Sequence, residues 1–124
     1  MPATRPEDVD TLFAQALNAG DLDALVALYE PAASLTPQPG TTVTGHAAIR
    51  AALAGFLAGK PTMTIGARVV SQVGDVALVT AKWQLALTGP DGKPVAMSGQ
   101  SVEVLRRHAG GHWLFAIDEP FGLS

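Results

Sequence analysis

The stretch Thr62-Met63-Thr64-Ile65-Gly66-Ala67-Arg68-Val69 decides the fold, because the spacing of apolar residues changes there. Upstream they recur every three or four positions. Here Met63, Ile65, Ala67 and Val69 alternate with Thr62, Thr64, Gly66 and Arg68, the period of a strand with one buried face. Downstream, Val73-Gly74-Asp75 separates this strand from a long one over 76–88, and Gly89-Pro90-Asp91-Gly92-Lys93-Pro94 turns into another over 95–107. His108-Ala109-Gly110-Gly111-His112 leads into a last strand over 113–118. Four strands joined by short turns form an antiparallel meander, and strands of about a dozen residues must twist and coil to stay compact. Gly66 and Gly99, inside strands, are the expected places for a bulge or bend.

Towards the N-terminus, Val9, Leu12, Phe13, Ala16 and Leu17 share one helical face that stops at Gly20. Asp21 then suits the N-cap of a second helix whose stripe runs Leu22, Leu25, Val26 and Tyr29 and ends at Glu30-Pro31. Ala33 to Thr36 reads as a brief strand, Pro37-Gln38-Pro39-Gly40 as a turn and Thr41 to Thr44 as a second extended piece. A third helix follows Gly45, buries Ile49, Ala52, Leu53 and Phe56, and stops at Gly59-Lys60-Pro61. The expectation is one α+β domain over residues 1–124, in which a cone-shaped, curved antiparallel sheet wraps around three helices from the N-terminal half. A funnel lies between helices and strands.

Composition removes several classes of function. Apolar residues make up 48% of 124 positions and charged residues 15%, yet no apolar run reaches the roughly 18 to 20 residues of a membrane span. A net charge of −3, with eight Lys and Arg scattered along the chain, offers no basic stripe for nucleic acid or an anionic membrane surface. Cysteine is absent, which excludes disulfides and thiolate nucleophiles and fits a reducing compartment. The opening Met1-Pro2-Ala3-Thr4-Arg5-Pro6 lacks the apolar core of a signal peptide, so a cytoplasmic location is expected. No phosphate-binding Gly-x-x-x-x-Gly-Lys-Ser/Thr and no Gly-x-Ser-x-Gly elbow occur, so no nucleotide cofactor and no serine nucleophile are implied. His108 and His112 flank a glycine turn, where solvent is their expected neighbour, and no third ligand accompanies them; no metal is expected.

The run Ala16-Leu17-Asn18-Ala19-Gly20-Asp21-Leu22-Asp23, followed by Leu25-Val26-Ala27-Leu28-Tyr29, resembles the helix-corner-helix that opens the ketosteroid isomerase and nuclear transport factor 2-like superfamily. Gly45-His46-Ala47-Ala48-Ile49-Arg50 resembles the start of its third helix, and Gly110-Gly111-His112-Trp113 the turn before its last strand. The resemblance covers nearly the whole chain and implies the cone-shaped, cystatin-like roll. It does not choose an activity, because the superfamily holds isomerases, polyketide cyclases, dehydratases, epoxide hydrolases and non-catalytic binding domains. Residue by residue it argues against steroid isomerisation: the steroid isomerases' helix-one tyrosine falls at Phe13, their base near Pro37, and their late-strand aspartic acid near Gln100 or Ser101. The Asp-Arg-Asp set of the epoxide hydrolases is not assembled from Arg68 and the strand acids either.

Among the eleven acidic residues, Glu7, Asp8, Asp10, Asp21, Asp23 and Glu30 read as helix surfaces, first turns or ends, and Asp75 and Asp91 as turns. Glu103, Asp118 and Glu119 remain. Asp118 sits where the resemblance to SnoaL-like polyketide cyclases implies the acid–base aspartate, and burial beside aromatic rings raises such a group into the useful range. Its other reading is a partly exposed carboxylate at a strand end. Glu103 reads either as an outer-face ion pair with Lys82 across the Pro90–Lys93 hairpin or as a pocket acid, and Glu119 as a rim residue. His46 reads as a solvated helix-start histidine or as a ligand contact at the pocket mouth. Phe13, Leu17, Tyr29, Phe56, Trp83 and Met97 are expected to line the pocket with Leu35, Ile49, Leu85 and Trp113, and Tyr29 and Trp83 each carry one polar tip.

Two functions follow. One is an acid–base enzyme of cyclase or isomerase type acting on a small hydrophobic carbonyl compound, with Asp118 as acid–base and Gln100 or His46 as orienter. The other is a non-catalytic module that binds a small apolar ligand or only dimerises. Under either, the outer sheet face carries enough Val, Leu and Trp to predict a homodimer through the sheet.

Overall fold

In the computed structural model, which describes residues 3–122, helix α1 (Asp8–Ala19) and helix α2 (Leu22–Val26) meet at Gly20 and Asp21. Gly20 takes the left-handed conformation at φ 71° and returns its N–H to the end of α1, while the Asp21 side chain accepts from the Ala24 N–H at 3.1 Å. Strands β1 (Tyr29–Gln38) and β2 (Thr41–Thr44) come next, then helix α3 (His46–Leu57) and strands β3 (Thr62–Val73), β4 (Val76–Thr88), β5 (Pro94–Arg107) and β6 (Trp113–Glu119). Six strands form one curved, unclosed sheet in the order β2-β1-β6-β5-β4-β3, with the helices on its concave side.

Two features of the first half differ from the sequence reading. Helix α2 stops after five residues, so Tyr29 belongs to β1 and not to the helical stripe. The Phe115 N–H donates to Leu28 O at 2.8 Å, and Tyr29 pairs with Phe115; this recruitment to the sheet competes with another helical turn. The strand expected over Ala33–Thr36 consequently extends from Tyr29 to Gln38, and β1 joins β6 in parallel, so one pair of an otherwise antiparallel sheet runs the other way.

The second half follows the alternating pattern, and the register fixes which side chains share a face. A cross-strand row Val70–Val79–Glu103–Asp118–Leu35 runs over β3, β4, β5, β6 and β1 on the concave side. The adjacent row Ser71–Leu78–Val104–Ile117–Ser34 points the other way. The register of β3 shifts between Ile65 and Arg68, the bulge expected at Gly66. Gly99 has a different role from the bulge expected there: β4 and β5 pair without interruption through Trp83 and Gly99, and a Cβ at Gly99 would stand 2.9 Å from Trp83 Cζ2. Glycine leaves room there for the indole.

The core lies between helices and sheet. Trp113, Tyr29, Phe115, Leu25, Ile49 and Leu105 are its largest fully buried side chains. The Phe115 ring packs 4.9 Å from Tyr29 and edge-on to Phe13 at 6.2 Å, joining β1, β6 and α1. Among the described residues no helix is long and apolar enough to cross a membrane.

Candidate functional site

The concave face does not fill completely. A cavity of about 70 Å³ remains between α1, α3 and the sheet, lined by Phe13, Leu17, Leu35, Phe56, Trp83, Leu85, Met97, Phe115 and Phe121. It is smaller than the few hundred Å³ of a drug-sized pocket, because these large side chains occupy most of the cone. Among the described residues its polar lining consists of Asp10, Ser101, Glu103 and Asp118.

Asp118 is 4% exposed, and its Oδ2 accepts a hydrogen bond from the Tyr29 hydroxyl at 2.5 Å. Removal from water raises its carboxyl from the ordinary range to about 7; the Tyr29 hydrogen bond opposes that rise, and the charges of Asp10 and Glu119 add to it. The same burial and the facing carboxylate hold the Tyr29 hydroxyl well above its usual range. Glu103, 5% exposed, stands directly across from Asp118 in the β5–β6 register. Burial first, then the charges of Asp10 and Asp118, hold its carboxyl well above the usual range and favour its protonated form. Two carboxyls on neighbouring strands thus face one apolar space, both with a raised affinity for a proton.

Of the residues expected in the pocket, Phe13, Leu17, Leu35, Phe56, Trp83, Leu85, Met97, Glu103 and Asp118 line the cavity. Five do not, and of these Ile49 and Trp113 are buried in the core away from it. The Tyr29 side chain lies behind the wall and reaches the site through Asp118. His46 turns away: its Nε2 is 2.8 Å from the Tyr29 backbone oxygen, so the ring staples α3 to β1 rather than leaning over the mouth. Gln100 is exposed in a shallow groove on the outer face with Lys82 and Gln84, because it pairs with Lys82 one residue out of phase with the inward Ser101. The same parity excludes the Lys82–Glu103 ion pair: Glu103 pairs with Val79 and points inward. The polar tip of Trp83 is already spent, since Nε1 donates to Pro120 O at 2.6 Å. Glu119 accepts from Thr36 Oγ1 at 3.0 Å, and His108 meets Glu30 at 2.7 Å and stacks on His112 rather than facing solvent alone.

Asp10 is the site residue that the sequence reading missed. It is 3% exposed on α1 and faces Glu103. Its signal was spacing: Asp10, Phe13 and Leu17 stand three and four residues apart, on the helical stripe that meets the core. Among the described residues no three His, Asp or Glu side chains are placed to hold a metal ion.

Known proteins of this shape can now be set beside it. A ketosteroid isomerase-like protein from Erwinia carotovora atroseptica superposes with a TM-score of 0.80 at 20% identity, covering 91% of this chain and 89% of that one. A Streptomyces avermitilis protein, provisionally named a dehydratase of the nuclear transport factor 2-like family, gives 0.80 at 21% identity over 95% and 94%. A nuclear transport factor 2-like protein with a cystatin-like fold from Novosphingobium aromaticivorans gives 0.77 at 20% identity over 94% and 79%. At such identities the likeness is one of fold. No curated protein matches the chain. The SnoaL-like domain family matches residues 9–115, nearly the whole of the elements that build the cavity, and the chain belongs to that family.

Proposed function

We propose that the cavity binds a compact, largely apolar carbonyl compound and moves a proton on it in an isomerase- or cyclase-type reaction, with Asp118 as base and Glu103 as acid. The observation that carries this reading is the pair of facing carboxyls, both raised by burial, Asp118 to about 7 and Glu103 well above its ordinary range, in a cavity lined mostly by carbon. Asp118, ionised, takes a proton from the carbon beside the carbonyl; Glu103, neutral, gives its proton to the carbonyl oxygen. The product is an enol, Asp118 becomes neutral, Glu103 becomes charged, and the net charge of the site is unchanged. Returning the Asp118 proton to a different carbon and the enol proton to Glu103 completes an isomerisation. Tyr29 holds the Asp118 carboxyl in place. Steroid isomerisation is not part of the proposal, since Phe13 and Pro37 line the cavity where those enzymes need a donor and a base. The names of the isomerase-like and dehydratase relatives agree with proton-transfer chemistry.

The test is exchange of the α-hydrogens of cyclohexanone for deuterium, followed by NMR. Exchange needs Asp118 without its proton and Glu103 with it, so the rate should rise through pH about 7 and fall again at higher pH. No exchange above the buffer rate across that range, for cyclohexanone and for the larger 2-tetralone, rejects the reading.

We also propose a homodimer through the outer sheet face. Leu78, Val104 and Ile117 form one outward row, with Leu78 and Ile117 each 43% exposed and Val76 beside them. Contiguous apolar side chains on a sheet face favour a covering surface. Leu78→Glu should convert the dimer to monomer in sedimentation equilibrium at micromolar concentration; a wild-type monomer would refute the proposal.

A further inference from the structure

Asp10 is a buried acid that the proposed reaction does not use. Helix α1 carries it over the sheet where two inward rows run side by side: Arg68–Ala81–Ser101 and Val70–Val79–Glu103. Ala81 and Val79 are small or short, which leaves space above β4 for a helix side chain between Arg68 on one flank and Glu103 on the other. Arg68 is tied to that same helix, its Nη1 donating to Glu7 O at 3.0 Å and to Thr11 Oγ1 at 2.7 Å. No N–H or O–H of another described residue reaches Asp10 Oδ2 or Glu103 Oε1. The two carboxyls lie within hydrogen-bonding reach of each other. Two buried carboxyls that each keep an oxygen without an outside donor are satisfied when one proton is held between them.

We infer that Asp10 and Glu103 form an acid–carboxylate pair holding a single proton between helix α1 and strand β5, with Asp10 the positioning residue that aims Glu103 at the cavity. The inference rests on the reading of Glu103 as the proton donor. Burial raises the Asp10 carboxyl, and the hydrogen bond donated by Glu103 and then the nearby Arg68 guanidinium act against that rise; in the pair as we infer it Glu103 is the donor and Asp10 the acceptor. The other groups facing the pair are Asp118 on β6, Tyr29 on β1 and Ser101 on β5. The Asp118 carboxylate reinforces the proton on Glu103, and Ser101 opposes it. When substrate oxygen gains electron density it competes with Asp10 for the shared proton. Transfer leaves Asp10 and Glu103 both charged, with Arg68 beside them, and the proton comes back when the carbonyl re-forms. Breakage of the Glu103 O–H bond and formation of the substrate O–H bond balance.

The test is a ¹³C NMR titration of the side-chain carboxyl carbons in the full-length protein, which reads the pair without any turnover. In Asp10→Asn the facing negative charge is gone and the amide can donate to a Glu103 carboxylate, so the Glu103 midpoint should fall by about one pH unit or more. In Glu103→Gln the acid that shares its proton with Asp10 is replaced by an amide that carries none, so the Asp10 midpoint should shift from its wild-type position. This second variant decides the matter if the first fails to fold. Where cyclohexanone exchange is seen, its alkaline limb should move down in Asp10→Asn by the same interval as the Glu103 midpoint. Unchanged Glu103 and Asp10 midpoints in the folded variants would overturn the pair. Absent exchange with shifted midpoints would overturn the proposed reaction and leave the pair standing.

Discussion

Replacing Asp118 with Asn should slow proton transfer by at least about 10²-fold and, at the same time, stabilise the fold at alkaline pH. The amide keeps an oxygen to accept the Tyr29 hydroxyl, but it cannot take a proton, and loss of a general base costs about 10² to 10⁴ in rate. The stability effect follows from linkage. A folded-state value of about 7 against an ordinary 3.8 means that the native state keeps a proton that the unfolded chain has released between those values. Stability therefore falls as pH rises through that window, and the penalty is complete above it. About three pH units at roughly 1.4 kcal/mol each give a ceiling on the order of 4 kcal/mol. The Asn amino group must find partners of its own, which offsets part of the gain. In urea unfolding at pH 8 the variant should be the more stable protein, and the difference should vanish or reverse near pH 4. A variant less stable than wild type at pH 8 would show that Asp118 is an ordinary ionised strand-end carboxylate.

Truncating Phe115 to Ala should cost about 3 to 5 kcal/mol of stability, as full truncation of a buried aromatic does. The ring is 1% exposed and touches both Tyr29 and Phe13, so its loss opens a hole where β1, β6 and α1 meet. That hole adjoins the cavity, which Phe115 also lines. Lower urea midpoints should accompany a shift of exchange in favour of 2-tetralone over cyclohexanone. A loss under 1 kcal/mol, less than a single buried methylene or two, would mean that the aromatic cluster is not the joint of the fold.

Much of the fold was legible because its signals are local. The change of period at Thr62, the left-handed cap at Gly20 and the bulge near Gly66 each depend on a few neighbouring residues. The length of α2 depended on something remote: β6, at the far end of the chain, offers Phe115 as a partner to Tyr29 and so wins over one more helical turn. The site turned on parity. A single residue of register separates Lys82 opposite Ser101 from Lys82 opposite Gln100, and it moves Glu103 from an outer ion pair to the cavity. Asp118 was legible through the family resemblance and its place at the strand end. Asp10 was passed over because an acid in a first helical turn has an ordinary explanation, the helix dipole, although its spacing from Phe13 already pointed inward. His46 was misplaced since nothing local announces that Tyr29 offers its backbone oxygen.

The most direct measurement is the ¹³C NMR titration of the Asp118 carboxyl carbon in the wild-type protein. A midpoint near 7 would establish a buried base poised at neutral pH against an apolar cavity, as the proposed reaction requires. A midpoint at or below the ordinary aspartate range, about 4, would contradict it and leave a binding domain without a base.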